Sequence, residues 1–384
     1  MDIIYRPLDQ GTIDNPHSIY DRLRIEAPVF WHDQTKSWVL SRYQDCRFVL
    51  GNHELFARDQ RRVGRQLPSS QVNMQIQDPP YLSELRIRLS DAFKRQDVQG
   101  LIMAARGRLE ASLQRRPAQI PFDFMSEVAA DVALNLSLRL IGAAGYPPTN
   151  YHGIFEGMAR QMDSSIDPSR RRDGVAAASE LRSLMHAWFA IPSNEGVIGA
   201  IKDGMPNQES SSDYIVNTMC GVFNACYSTL YAMTGSVFHV MLENRHLIES
   251  LGSEISTDAA VEEVIRYISP AQGSSRYAVA PFEFENTKIR RGDAIIVLFA
   301  AANWDPSIFT APAKLAFERS PNPHLGFGWG THFCIGASFA SRWVREVLSF
   351  LQLNYKALSL AGIPTYMNMA TLRCLSALPL IVNR

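Results

Sequence analysis

The chain has 384 residues, with 38 basic side chains matched by 38 acidic ones and a formal net charge of zero. Apolar residues make up 46% and charged ones 20%, a globular composition that excludes disorder, collagen and coiled coil for the chain as a whole. A neutral chain exerts no net pull on nucleic acid or an anionic membrane, so the expected partner is a small molecule and neither of those.

In chain order, Asn15-Pro16 opens a helix that runs through Arg24. Pro28–Trp31 and Trp38–Leu40 read as two strands around a polar turn. Residues 59–80 are polar and irregular, and loops of that length are often functional. Asp78-Pro79-Pro80 suits a helix start, with Asp78 as the cap and Pro79 in the first turn. Helical periodicity dominates from 81 to 250, with breaks near Pro147-Pro148, Asp167-Pro168 and Asp203-Gly204-Met205-Pro206. Arg170-Arg171-Arg172 reads as a solvated loop. Short strands come late, at Phe282–Phe284, Ala294–Phe299 and Leu378–Val382. No repeat of 20 to 50 residues and no low-complexity tract interrupts this order.

Tyr214–Leu242 carries no Asp, Glu, Lys or Arg over 29 residues. As a helix it would be roughly 43 Å long, enough to span a bilayer. Asn217, Thr218, Asn224, Ser228, Thr229 and His239 interrupt it, so a long helix through a large globular domain explains it better.

Five cysteines, at 46, 220, 226, 334 and 374, show no C-x-x-C pair and no zinc spacing, which suits a reducing compartment. The N-terminus has no basic stretch ahead of an apolar run, so neither a signal peptide nor an anchor is expected, and the expected location is the cytoplasm.

The chemistry concentrates in residues 324–340, HLGFGWGTHFCIGASFA. Gly326, Gly328 and Gly330 permit tight turns and close approach of backbone to a flat ligand. Cys334 precedes a helix expected to begin near Ile335, whose N–H groups would favour a thiolate. Gly336 leaves room for a large group against that helix. A phosphate loop and a buried structural cysteine are the plainer alternatives. The phosphate reading lacks its Lys-Ser/Thr pair, and the Ser338 region lacks the second glycine of a nucleophile elbow.

Phe327-Gly328-x-Gly330-x-His332-x-Cys334-x-Gly336 resembles the haem-binding motif of the cytochrome P450 family. The resemblance implies Cys334 as the thiolate ligand to a haem b iron, pushing electron density toward O–O cleavage. It implies Phe327 beside that ligand, Gly336 against the haem, and His332 on a haem propionate. Glu263 and Arg266 in AVEEVIRYISP resemble the family's E-x-x-R pair, with Arg319 as the third member of a buried structural network. Asp78-Pro79-Pro80 followed by Leu85-Arg86 resembles the helix that supplies a propionate-binding arginine, here Arg86. The 269–276 segment resembles one that lines the substrate pocket with Ala271, Gln272, Gly273 and Ser274 and sends Arg276 to the other propionate. Ala302-Asn303-Trp304-Asp305-Pro306 resembles the A-N-x-D-P turn ahead of the haem loop.

The resemblance covers roughly residues 15 to 384. It implies a mainly α fold with small β-sheets, a single domain over 1–384, and a long central helix over the haem. The implied activity is a monooxygenase inserting an O2-derived oxygen into a medium-sized aromatic or polycyclic molecule, or demethylating or coupling it, in a biosynthetic or catabolic pathway. Electrons would come from NAD(P)H through a ferredoxin or flavodoxin and its reductase. Arg88, Lys94, Arg95, Arg342 and Arg345 are either a docking face for that carrier or an ordinary solvated surface.

The chain departs from the family pattern on the long helix. Ala225-Cys226-Tyr227-Ser228-Thr229 stands where the family has A-G-x-(D/E)-T, so Thr229 takes the oxygen-side hydroxyl and Ser228 replaces the acid. Ala225, Ser228 and Thr229 are expected on one face, with Asn224 beside them. A missing acid leaves open a peroxide-driven enzyme, one that couples or rearranges its substrate, or a non-catalytic haem protein. Leu82 stands where many relatives have His. The rest of the substrate pocket is expected from 60–77, 151–190 and Met369–Thr371. Trp329 is a bulky residue that could face the redox partner.

Overall fold

The computed structural model describes residues 3–204, 212–252, 257–284 and 286–383. Met205 and Pro206 of the expected helix break lie outside them.

The uncharged stretch becomes one helix, Asp213–Glu243, with residues such as Val216, Phe223, Tyr231 and Phe238 buried along it. It packs against the helices Ala130–Ile141, Arg171–Ala190 and Ala337–Asn354, so it is apolar nearly all round because it is enclosed. Its side-chain hydroxyls bond back to the turn below, as Thr234 Oγ1 does to Leu230 O at 2.6 Å, which lets polar residues lie in the core. No helix among the described residues is long and apolar enough to cross a membrane.

The largest sheet has five strands in the order Val29–His32, Ser37–Leu40, Ala294–Leu298, Gly273–Ala278 and Phe56–Ala57. Only the pairing of Ser37–Leu40 with Ala294–Leu298 is parallel. Among the described residues three smaller sheets account for the remaining strands, including the Phe282–Phe284 hairpin and the pairing of Pro379–Val382 with Leu358–Leu360.

The polar 59–80 stretch is ordered by the long helix. Asn217 Nδ2 donates to Ser69 O and Val72 O, and Thr218 Oγ1 accepts from Met74 N. The Gln75 amide occupies the space beside Gly221, where a Cβ would lie 2.3 Å from its Oε1 and displace that side chain. Asp78 does not cap the next helix, Tyr81–Lys94, which begins after Pro80 with no side-chain cap. Its carboxylate is turned away onto the amides of Arg58 and Asp59, which outcompete the helix end. Arg170 is not solvated either: it pairs with Asp163 and Asp167 and bonds Asn368, leaving Arg171 and Arg172 exposed.

Candidate active site

The Glu263 and Arg266 side chains are fully buried, with Arg266 Nε on Glu263 Oε2 at 2.7 Å and Nη2 on Oε1 at 2.8 Å. Arg319 Nε reaches the same carboxylate at 3.0 Å, joined by Asn322 Nδ2 and the Ala316 amide. Arg266 also donates to Asn303 O and Lys314 O, so the network is anchored to backbone on two sides. Asn303 carries the order onward: its Oδ1 accepts Leu325 N at 2.6 Å and its Nδ2 donates to Ser269 Oγ at 2.8 Å. Asp305 of the same turn accepts the Tyr43 amide at 2.9 Å. The A-N-x-D-P turn thus ties the ion network to the start of the glycine-rich loop.

That loop closes through Cys334 N donating to Phe327 O at 2.9 Å. Gly328 and Gly330 have φ of +71° and +72°, and a Cβ on Gly330 would lie 2.4 Å from Leu50 O. Helix Ala337–Asn354 starts two residues later than expected, with Gly336 at its N-cap, because the Ala337 amide closes a turn onto Cys334 O. Cys334 is exposed by area, yet protein atoms crowd its thiol on several sides. Burial pushes the thiol up, opposed by the Gly336 N–H and the Arg86 charge. Cys226 on the long helix is pushed up to about 12, chiefly by burial, against the Ser137 hydrogen bond that lowers it.

A cationic rim borders the loop. Arg86 Nη2 donates to Phe333 O. His332 Nε2 and Asp78 Oδ1 are 3.1 Å apart, so this histidine's first partner is Asp78. Burial would raise the Asp78 carboxyl, but His332 and the Asp59 and Arg58 amides outweigh it and hold the acid at about 2. Arg276 is 3% exposed, and burial followed by the charge of Arg58 lowers it to about 9. Arg58 and Asp78 are the members sequence reasoning did not assign to this rim. Asp78 was read as a cap, and no local spacing marks Arg58.

On the long helix Ala225 is exposed and Thr229 partly so, while Ser228 is 7% exposed. Ser228 therefore does not share the open face; its Oγ donates to Ala225 O at 3.3 Å. Thr229 Oγ1 donates to the same carbonyl at 2.7 Å. Asn224 Oδ1 accepts from Tyr151 OH at 3.3 Å.

The expected 271–274 lining divides. Gln272 is buried, bonded by Tyr20 OH at 3.1 Å and donating to Ser269 O, so its amide is spent within the scaffold. With Met369 it lines a cavity of about 20 Å³, room for about one water and not for a substrate. Met369 is thereby placed in the core, and Thr371 Oγ1 is held by Asp163 at 2.6 Å. Ala271 pairs with Leu372, and a Cβ on Gly273 would meet Val297 O at 2.5 Å. Ser274 Oγ is taken by Arg276 and Arg58.

The family profile described as Cytochrome P450 matches residues 256–360, the span that holds both the ion network and the cysteine loop. Over 376 residues the chain is 27% identical to a "Putative cytochrome P450 126" of Mycobacterium tuberculosis, covering 90% of each protein. The chain belongs to the cytochrome P450 family. It is an oxidoreductase of the monooxygenase class that this family comprises. The P450 fold extends over the whole chain: the Bacillus subtilis 168 bacillaene polyketide synthase cytochrome P450 PksS superposes with a TM-score of 0.85 at 24% identity, covering 99% of this chain and 100% of that one. P450BioI, solved in complex with a hexadec-9Z-enoic acid ligated acyl carrier protein, superposes at 0.81 with 24% identity, covering 97% of this chain and 100% of that one.

The residues of this P450 chain fit a haem. The donor set is one cysteine thiol on a glycine-shaped loop, and at its edge stand Arg86, Arg276 and Arg58 with Asp78 as the neighbouring acid. That excess of positive charge suits a ligand carrying two carboxylates.

Proposed function

We propose that this P450 holds haem b through the Cys334 thiolate, with Arg86 and Arg276 on the two propionates, and oxidises a medium-sized, largely apolar small molecule with an atom from O2. The observation that carries the reading is the Cys334 thiol on a glycine-shaped loop that is closed by its own hydrogen bond and tied through Asn303 to the buried Glu263–Arg266–Arg319 network, with the arginine rim at one edge. A haem bound there would supply oxygen activation, with thiolate donation favouring O–O cleavage.

The chain's own residues do the rest. The Gly336 N–H and Arg86 oppose the burial that keeps Cys334 protonated, and iron would complete the deprotonation. Phe327 and Phe333 lie edge to face at 6.2 Å and stiffen the loop that carries the thiol. Thr229 Oγ1 is committed as a donor to Ala225 O, so it presents lone pairs to the open face and acts there as a hydrogen-bond acceptor. Asn224 lies one residue before the exposed Ala225 and offers a polar anchor at the edge of that face. Electrons from NAD(P)H would arrive by a ferredoxin or flavodoxin with its reductase, in the cytoplasm. The polyketide synthase P450 and the acyl-carrier-bound P450BioI among the structural neighbours support a biosynthetic role, with a free or carrier-delivered substrate.

The test is optical. The ferrous–CO complex of the purified chain is expected near 450 nm, and Cys334→Ala should abolish that band. A spin-state titration against polyketide, terpenoid, acyl and aromatic compounds then identifies the substrate class. A band near 420 nm in freshly prepared protein of both forms would remove Cys334 from the iron.

One observation favours a second reading. Ser228 is buried and bonded to its own helix, so no side chain of the expected acid position reaches the open face. A peroxide-driven enzyme needs less proton delivery, and turnover with peroxide but none with any ferredoxin system would establish it.

A further inference from the structure

Arg58 follows the edge strand Phe56–Ala57 and belongs to no motif that marks the site. Its Nη1 donates to Ser274 Oγ and, at 3.1 Å, to Ser275 O. Arg276 Nη1 donates to the same two atoms, at 2.9 and 2.8 Å. Two guanidinium groups therefore converge on one hydroxyl and one carbonyl. Arg58 Nε is fixed on Gln75 O at 3.1 Å, which sets the plane of its fork. Among the described residues, Arg58 Nη2 and Arg276 Nε and Nη2 make no hydrogen bond, so both forks keep donors in reserve.

Like charges held together out of water are unfavourable unless an anion joins them. The acid that acts on both is Asp78, whose carboxylate already serves the Arg58 and Asp59 amides, His332 and Arg62. The pair therefore lacks a carboxylate of its own, and planar forks with free donors match one in geometry.

We propose that Arg58 is a third guanidinium anchor for the haem, gripping together with Arg276 the propionate that Arg276 holds. The proposal rests on the haem reading above and deepens it. Because the two Nη1 groups share their acceptors, a carboxylate bound by the free donors of Arg276 lies within reach of Arg58. Arg58 is then a positioning residue: it ties the 59–80 stretch that packs on the long helix, through Gln75, to the haem edge. Retention of haem and order in that loop become linked.

The experiment measures haem loss from the purified holoprotein to excess apomyoglobin, for wild type, Arg58→Gln and Arg58→Lys. Each protein is also reconstituted with haem dimethyl ester, whose propionates carry no charge. Arg58→Gln is expected to lose ordinary haem about tenfold faster, the worth of one charge-assisted hydrogen bond. Arg58→Lys, which keeps the charge without the fork, should fall between. With the dimethyl ester the three rates should converge, an outcome that a merely structural role for Arg58 does not produce. Equal loss rates for ordinary haem within about twofold overturn the proposal, as does a difference that persists with the ester. If Arg58→Gln does not fold, Arg58→Lys carries the same comparison. A change confined to binding of an acidic substrate, with haem loss unaltered, also overturns it and moves Arg58 to the substrate site. A wild-type chain that takes up no haem defeats the haem reading itself, and this assignment with it, before any variant is made.

Discussion

Glu263 and Arg266 stand one helical turn apart and are joined by two hydrogen bonds, at 2.7 and 2.8 Å, with both side chains fully buried. Such a pair is no bonus to stability over an apolar one, but removing one member strands the other. Glu263→Ala would leave Arg266 and Arg319 uncompensated at the centre of the scaffold behind the cysteine loop. The expected cost is roughly 3–5 kcal/mol, read as a lower denaturation midpoint and poor recovery of folded protein. A loss below about 1 kcal/mol would mean that solvent reaches the network.

Thr229→Val removes a hydroxyl whose bonds among the described residues run back to its own helix, so folding stability should change by less than about 1 kcal/mol. Oxygen-dependent turnover with a reductase system should fall by about a hundredfold or more, the lower end of the roughly 10²–10⁴-fold range for one proton-handling group. Peroxide-supported turnover should fall much less. Equal losses in both assays would count against a proton role at Thr229 and for simple packing.

His17 gives a pH prediction away from the site. Its ring stacks on Trp304 with centroids 3.4 Å apart, and its Nδ1 is buried without a partner. Burial, followed by the charges of Arg373, Arg24 and Arg266, lowers its pKa from 6.5 to about 3. The unfolded chain binds this proton near pH 6.5 and the folded chain resists it, so stability is full above 6.5 and declines as pH falls toward 3. The loss is on the order of 5 kcal/mol at most. His17→Phe keeps a ring on Trp304 and should flatten the stability–pH curve in that window, measured by denaturant titration across pH. An unchanged slope would assign the acid sensitivity to other groups.

The candidate docking surface is less uniformly cationic than its composition suggests. Arg88 pairs with Glu84, Lys94 with Asp91 and Arg345 with Asp258. Arg95 and Arg342 are exposed and take part in no ion pair among the described residues. Reversing both to Glu should slow reduction by a ferredoxin about tenfold at low salt, with the difference fading as ionic strength rises. Reversal of the paired Arg88 should matter less. A salt-independent effect would point to misfolding and not to docking.

What could be read from the chain alone is local in sequence. The cysteine loop shows itself because glycines with positive φ, a histidine and a cysteine must sit within ten residues to build it. Glu263 and Arg266 are visible because a helix brings i and i+3 together. The long helix and its burial follow from an uncharged run too polar for a membrane. The expected face of the distal residues failed by one position: Ser228 and Thr229 both satisfy their hydroxyls on Ala225 O, yet one is buried and the other partly exposed. Periodicity distinguishes neighbours by about 100° of rotation, which is too coarse for an edge position.

The relationships that decide the site's charge are long-range. His332 meets Asp78 across 254 positions, and Arg58 meets Ser274 across 216. Asp78 looked like a helix cap because Asp before Pro is one in most settings, but two amides and a histidine from other elements bound its carboxylate more strongly. Gln272 looked like a pocket wall and became a buried bridge to Tyr20. The sequence by itself determined the fold family, the cysteine loop and the buried ion network, since short-range geometry dictates each. The tertiary structure decided which polar groups are spent on the scaffold and which remain free for a ligand, because hydrogen-bond partners are chosen by proximity in space, and nothing in local spacing encodes that.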